Sequence, residues 1–251
     1  MKSQKITVQI SDGTISPGLQ EKMWELYSQY YNYSKEAFLA RIPRNDHYSF
    51  YYKGEQLIGF TGLRVTPFRF ESRWRLTIYY GQTIIHKAFR GKALMQKTGM
   101  KLMRRYWYYF LFAKVYFWCD ALTYKPYLVF ARTLEEYYPS PSHRQPPVIE
   151  KLMHHIGSMH YGPLYQPHTG IVLKPEKYVR DPASKIKDKD LNNPLIAYYQ
   201  QRNPGYTEGN GLLTLAPVSS NNFYKIGKRI LRQQLRSLKR RMLIPQLVPT
   251  R

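Results

Sequence analysis

The sequence predicts an α/β fold, on three observations. Stretches with strand-like alternation and stretches with helical spacing follow one another through the first half of the chain. Two apolar runs, His47 to Tyr52 and Gln56 to Val65, are joined by Lys53-Gly54-Glu55, which is a hairpin signal. The chain has 251 residues, 43% hydrophobic and 16% aromatic, enough to bury one large core or two small ones, which excludes disordered and fibrous classes.

The elements follow in order. Ile6-Thr7-Val8-Gln9-Ile10 alternates around β-branched residues and runs into Ser11-Asp12-Gly13, a first strand and its turn. Ser16-Pro17 opens a helix that Ser16 can cap, with Leu19, Met23, Leu26, Tyr27 and Tyr30 at helical spacing, through to about Ala40. After the hairpin, Trp74 to Ile85 reads as a long strand with Gly81 inside it, a position that suits a bulge or a close backbone approach. A basic glycine loop, His86 to Gly91, follows. From Lys92 the residues Ala93, Leu94, Met100, Leu102, Met103 and Trp107 predict a helix, and Lys114 to Cys119 a buried strand. Tyr124 to Tyr138 predicts a further helix ending at Pro139, with Pro126 in its first turn. Beyond Ser140 the texture changes: a proline-rich connector, a helix from Val148 to about Met159, a short helix near Leu195 to Gln201, and two apolar runs, Gly170 to Leu173 and Gly211 to Pro217. Each run is too short to make its own core, so both should join the main sheet.

Charge and cysteine usage narrow the partners. Thirty-nine Lys and Arg against 16 Asp and Glu leave a net +23, so a nucleic acid, an anionic membrane surface, a phosphorylated cofactor or an acidic carrier protein is expected as a partner. The single Cys119 excludes an intramolecular disulfide and a cysteine-based zinc site, and a reducing cytoplasm fits. The N-terminal residues lack an export core, and the most apolar window, Tyr106 to Leu122, is interrupted by Lys114 and Asp120 and is too short to span a bilayer. His154, His155 and His160 carry no accompanying carboxylate, so no metal site is expected.

The decisive segment is Ile84-Ile85-His86-Lys87-Ala88-Phe89-Arg90-Gly91-Lys92-Ala93-Leu94-Met95, a passage from strand through basic glycine loop to helix. Free amides and the positive dipole end of the helix make an anion site there, and Arg90 and Lys92 add charge.

The succession of strand, helix, hairpin, long strand, glycine loop, helix, strand and helix resembles the GNAT superfamily of acyl-CoA N-acyltransferases, over Ile6 to Tyr138. The loop resembles that family's diphosphate-binding motif, written Arg-Gly-x-Gly-x-Gly or Ala. Arg90 and Gly91 match, Ala93 takes the second small position, and Met95 departs at the third.

The resemblance implies a mixed, mostly antiparallel central sheet flanked by helices. It divides the chain into an acyl-CoA-binding core over 1–140 and a C-terminal elaboration over 141–251 that completes the sheet and the acceptor pocket. It further implies that backbone groups of Thr83 and Ile85 pair with a pantetheine arm, and that Arg90, Gly91, Lys92, Ala93, Leu94 and Met95 hold the diphosphate. The strand Lys114 to Cys119 would splay away to admit the thioester, and a bulge would sit at Gly81. The implied reaction moves an acyl group from acyl-CoA or acetyl-CoA, or from an acyl-carrier-protein thioester, to an amine acceptor, with no metal. The strand Trp74 to Ile85 contains no acidic residue, so His86 is the candidate base; the resemblance implies a tyrosine as acid in the helix after the fifth strand, where Phe130 falls near the place and a shifted alignment brings Tyr127, the candidate acid, or Tyr124. The alternative is a non-catalytic protein of the same fold that binds nucleic acid or another acidic partner through its basic surface.

The tail Lys225 to Leu243 predicts a basic amphipathic helix. Ile226, Ile230, Leu231, Leu235, Leu238 and Met242 form its stripe, surrounded by Lys225, Lys228, Arg229, Arg232, Arg236, Lys239, Arg240 and Arg241. It would either dock on the domain or hold an otherwise cytoplasmic protein at an anionic membrane surface, with nucleic acid as the further alternative.

Overall fold

The structure is a computed structural model that describes residues 5–226, apart from 13, together with 228. One eight-stranded sheet organises it. The chain enters at β1 (Ile6–Asp12), forms α1 (Pro17–Ser28), a short β2 (Tyr31–Asn32) and α2 (Lys35–Ala40), then the hairpin β3 (His47–Lys53) and β4 (Gln56–Phe70), and returns as β5 (Arg73–Ile85). After α3 (Leu94–Arg105), β6 (Lys114–Ala121) and α4 (Tyr124–Thr133) come α5 (Pro147–Tyr161), β7 (Tyr165–Gln166), β8 (Ile171–Val172), β9 (Tyr178–Val179), α6 (Pro194–Arg202) and β10 (Gly211–Pro217). The strand order is β1-β3-β4-β5-β6-β10-β8-β7, and β2 pairs with β9 in a separate two-stranded ribbon.

Every neighbouring pair in the large sheet is antiparallel except β5 with β6. This is the mixed, mostly antiparallel central sheet flanked by helices that is expected above. The apolar runs at 170–173 and 211–217 do join the main sheet, as β8 and β10.

Helices cover both faces. On the front face Met23, Tyr27 and Phe38 of α1 and α2 pack on Phe60 and Ile84, while Leu152, Met153 and Ile156 of α5 pack on Tyr79, Trp118 and Leu215. On the back face α3, α4 and α6 bury Leu102, Tyr127 and Tyr199 against Leu76, Ile78 and Val115. Each such fully buried side chain contributes about 1.5–3 kcal/mol of transfer free energy. The two helix groups of the front face stand apart, and the gap between them positions the site.

Three elements differ from the sequence reading. The helix expected from Ser16 to Ala40 is broken. Tyr31 and Asn32 are drawn into the ribbon with Val179 and Tyr178, and the helix restarts at Ser34, whose hydroxyl accepts the Ala37 N–H at 3.1 Å. At the first start it is the Ser16 carbonyl that accepts from Leu19 and Gln20, its side chain making no cap. The helix expected to reach Tyr138 ends at Thr133. There the Asn222 side-chain oxygen takes the amides of Glu135 and Glu136 at 2.7 and 2.8 Å, and Tyr138 bridges to Leu215.

The third difference is the bulge. Phe60 lies opposite Ile84 and Gly62 opposite Gly81, so Gln82 and Thr83 together face the single Thr61. The bulge therefore lies just past Gly81, and Gln82 takes the left-handed φ of 46°.

Candidate functional site

The site begins where two strands part. β5 and β6 run parallel from Arg75 opposite Lys114 to Tyr79 opposite Trp118. Beyond that point β5 stays with β4 while β6 pairs Asp120 and Ala121 with Leu213 and Leu212 of β10. A wedge opens between them, and α3 starts beside its mouth. The first amides of a helix have no carbonyl within it, so those of Leu94, Met95 and Gln96 stand ready for an external acceptor. Gly91 and Ala93 take left-handed φ values of 77° and 56°. The second small position of the motif is thus a left-handed one, which favours glycine.

The sequence-predicted cofactor residues gather around this mouth. Thr83 and Ile85 are half-buried on β5, Lys92 is exposed, and Leu94 is buried with Tyr51 and Ile58. Met95 packs down on the sheet, its sulfur 3.6 Å from Thr61 Oγ1 and 3.8 Å from Tyr51 Oη. Arg90 is committed within the fold. Its Nε donates to the Ile85 carbonyl at 3.1 Å, its Nη1 pairs with Asp181 Oδ2 at 2.9 Å, and its guanidinium lies 5.0 Å from the Tyr30 ring centre. Lys125 reaches the same carboxylate at 3.4 Å. Burial acts to raise Asp181, but the Arg90 hydrogen bond and the charge of Lys125 hold its carboxyl below the usual value.

The two candidate acid–base residues lie elsewhere. His86 Nδ1 accepts the Ala88 N–H at 3.3 Å, as a cap for the loop. Tyr127 is fully buried on the back face, its hydroxyl donating to the Pro139 carbonyl at 3.2 Å, and burial pushes its pKa up. Phe130 is buried nearby, and Tyr124 Oη reaches the Ala183 carbonyl at 3.5 Å.

The front-face gap holds a cavity of about 490 Å³. Its floor is Arg64, Tyr79 and Gln82 of the sheet; one wall is Tyr33, Arg41, Arg44 and Asn45 around α2; the other is His160, Tyr161 and Leu164 at the end of α5. The segment Leu173–Lys177 closes it. Gly209 makes that closure feasible: its φ is 92°, and a Cβ there would lie 2.8 Å from the Lys174 carbonyl and closer still to that of Lys177. Neither His86 nor Tyr127 lines the cavity.

Polar contacts tie the cavity to the parting strands. Asp120, buried at the end of β6, accepts from Tyr79 Oη at 2.8 Å and from Tyr161 Oη at 2.6 Å, and its other partner is the Lys174 ammonium. Lys177 forms no ion pair among the described residues; its ammonium sits among the rings of Tyr27, Tyr31 and Tyr33 at 5.3, 4.5 and 5.8 Å. Burial lowers the pKa of both lysines well below the ordinary value, and the Arg41 charge adds to the effect at each.

Lys174, Lys177, Tyr161, Arg41 and Arg64 escape sequence reasoning, because four segments far apart in the chain bring them together. Asp120 leaves one signal, an acid interrupting an apolar strand. The histidines of α5 separate: His154 packs on Tyr165, His155 on Phe68 and Phe70, and His160 on Trp118. No metal-ligating group of three or more occurs among the described residues. Of the basic tail only Lys225, Ile226 and Lys228 are described, and the rest of the predicted helix lies outside the described residues. Lys225 donates to the Leu134 carbonyl at 2.8 Å and pairs with Glu135 at 3.0 Å. No helix among the described residues is long and apolar enough to cross a membrane.

No family model and no curated protein matches the chain. Solved structures do. A protein from Enterococcus faecalis described as a probable N-acyltransferase is 14% identical at a TM-score of 0.38, covering 52% of this chain and 32% of that one. The chain thus spans about a third of the length of that protein. NAA60 from Arabidopsis thaliana, in complex with acetyl-CoA, is 14% identical at a TM-score of 0.37 over 50% of this chain and 84% of its own. An aminoglycoside acetyltransferase from an uncultured soil sample is 14% identical at 0.38 over 57% and 98%. At such distances chemistry has to be read from the chain's own residues.

Proposed function

We propose that the chain transfers an acyl group from a thioester of CoA, or of an acyl carrier protein, to an amine. The observation that carries this reading is the parting of β5 from β6 beyond Tyr79 and Trp118, beside a helix start with unpaired amides and next to a cavity that reaches the same strands. A donor thioester supplies an electrophilic carbonyl carbon. Amides from Gly91 to Met95, with Lys92, are suited to its diphosphate, and Thr83 and Ile85 to its pantetheine arm. Arg90 joins them when Asp181 lets it go. The portion after residue 140 completes the acceptor pocket through His160, Tyr161, Lys174 and Lys177.

In the transfer the amine nitrogen bonds to the carbonyl carbon, the C–S bond breaks, and the sulfur leaves with the electron pair. The nitrogen must lose one proton, and the thiolate takes one from solvent as it leaves. Tyr161 lines the cavity and is hydrogen-bonded to Asp120, so its phenol can accept the departing proton while passing its own to the carboxylate. This path replaces the acid missing from β5 and needs neither His86 nor Tyr127.

The test is release of CoA thiol from acetyl-CoA, and from longer acyl-CoAs, in the presence of amines, together with calorimetric binding of the same donors. Gly91→Val should weaken donor binding about tenfold or more, since it forces a β-branched residue into a left-handed φ. Tyr161→Phe should lower kcat more than it changes KM. A second reading, a non-catalytic binder of an acidic partner, is favoured by the commitment of Arg90 to Asp181. Donor binding without thiol release for any amine would select it.

A further inference from the structure

The wall of the front-face cavity offers donors and positive charge with almost nothing to answer them. Arg41, Arg44, Arg64, Lys174 and Lys177 line it, against one lining carboxylate, the exposed Glu176. Asp120, the nearest buried acid, is already taken by Tyr79, Tyr161 and Lys174.

Hydrogen-bond logic fixes which atoms remain. The Arg41 carbonyl can only accept, so it holds Asn45 Nδ2 at 3.2 Å; that nitrogen can only donate, so it holds Gln82 Oε1 at 2.9 Å, and Tyr48 Oη donates to the same oxygen at 2.5 Å. Gln82 Nε2 is thereby oriented away from these partners, and it is buried without one. The same reasoning applies across the floor. Arg64 Nη1 lies 3.5 Å from His160 Nδ1, and a guanidinium only donates, so Nδ1 is the acceptor and the ring proton sits on Nε2. His160 Nε2 and Arg64 Nε are both buried and unpartnered. Among the described residues, three residues that line the cavity thus carry a buried N–H donor without an acceptor, and the caged Lys177 ammonium lines it too.

A buried donor without an acceptor costs about 1–3 kcal/mol, and a buried ammonium without an anion costs more, so such a wall persists where a ligand repays it. The ligand has to be rich in acceptors and negatively charged. Room for it exists, because about 490 Å³ is within the ordinary range for a small-molecule site.

We infer that this cavity binds an oxyanion group, phosphate or carboxylate, carried by the acceptor amine, so that the substrate class is an anionic primary amine such as an aminoalkyl phosphate or an amino acid. The assignment of the bound molecule as acceptor rests on the acyl-transfer reading; the oxyanion site itself does not. The charge has a second effect on the same molecule. Surrounding cations disfavour the ammonium form, so the amine is held with its lone pair free, which is the form that attacks a thioester. A cationic pocket with no strong base on β5 is coherent for an anionic amine and incoherent for a plain one.

Calorimetry on the full chain tests this with four probes: O-phosphoethanolamine, 5-aminopentanoate, inorganic phosphate and 2-methoxyethylamine, each with and without saturating CoA. The expected result is that the phosphate- or carboxylate-bearing amine binds about tenfold or more tightly than 2-methoxyethylamine, whether or not CoA is present. The stronger of the first two identifies the group. Lys177→Met should reduce this binding by about tenfold without lowering the melting temperature, because it removes a desolvated charge that no anion of the fold compensates. Arg44→Met, at the exposed rim, guards against misfolding and should weaken binding about threefold. Equal binding of 2-methoxyethylamine, anion binding unaffected by both variants, or displacement of inorganic phosphate by CoA each overturns the proposal. In the last case the cavity holds cofactor phosphates instead. Anionic amine binding with no heat from acetyl-CoA leaves the oxyanion site standing and removes the transfer reading.

Discussion

The loop Lys87–Lys92 and the wall of the front-face cavity both concentrate cations, yet they treat them in opposite ways. Arg90 meets a carboxylate, Asp181, and a carbonyl, Ile85, supplied by the same chain. Lys177 meets three tyrosine faces and, among the described residues, pairs with no acid. Arg90 is therefore already answered as it stands, and an external anion must compete with Asp181 for it. The cavity is open by contrast, since its charge is satisfied only by something brought in. A cation that is conspicuous in a sequence need not be the one left available by the fold.

The sharpest break in this contrast is at Asp120, which belongs to the cavity side but neutralises one of its lysines. Asp120→Ala leaves the Lys174 ammonium buried without an anion and takes the acceptor from two phenols. A loss of about 3–5 kcal/mol in urea unfolding is expected. Lys174→Met should cost much less, because Asp120 keeps both phenol donors. Equal costs would show that the carboxylate depends on the ammonium as much as the ammonium depends on it, in spite of the two phenols.

His160 sharpens the contrast by pH. Burial, with the Arg64 and His155 charges adding, pushes its pKa down to about 4, so the folded protein holds it neutral where the unfolded chain would protonate it. A depressed histidine contributes stability that is present above its unfolded value and is lost as pH falls toward the folded one. Allowing for solvent screening at a partly exposed ring, about 1–2 kcal/mol should disappear between pH 7 and pH 5, most of it restored in His160→Gln. An unchanged slope in that variant would move the loss to other groups.

On the loop side, Asp181→Asn releases Arg90 and Lys125. Stability should fall by about 1 kcal/mol, as for a partly screened ion pair, while the affinity for acetyl-CoA rises several-fold. A fall in affinity would mean that Asp181 organises the loop for the donor and does not compete with it. The smallest effect is expected at Ala93, whose left-handed φ of 56° costs an L-residue about 1 kcal/mol. Ala93→Gly should recover about half of that once its added chain entropy is counted, seen as a slight rise in melting temperature.

How far these regions were legible follows from sequence distance. The wedge rests on a strand, a loop and a helix that are contiguous, and its markers Gly91 and Ala93 stand together in the chain, so the sequence exposes it. The hairpin at Gly54 and the added strands β8 and β10 were visible for the same reason, as local apolar patterns bounded by turn residues. Gln82 was not, because a bulge is a property of register between two strands. The break between α1 and α2 was hidden because Tyr30 and Tyr31 keep helical spacing while their backbone is claimed by Val179 and Arg180. The cavity is the extreme case. Arg41, Arg64, His160 and Lys177 have no common motif, and each alone looks like a solvated surface residue.

The strand order has a consequence for how the chain is made. β10 lies between β6 and β8, although it comes after both of them, and after every other strand of the described residues, in the chain. Until Gly211–Pro217 leaves the ribosome, β6 has a bare edge along Lys-Val-Tyr-Phe-Trp-Cys-Asp-Ala, a segment rich in aromatic and β-branched residues that can template pairing with another chain. The nascent protein therefore carries an adhesive edge through the emergence of about ninety residues, and its yield in a cell should depend on holdase chaperones more than its finished sheet, with that edge paired to β10, would suggest.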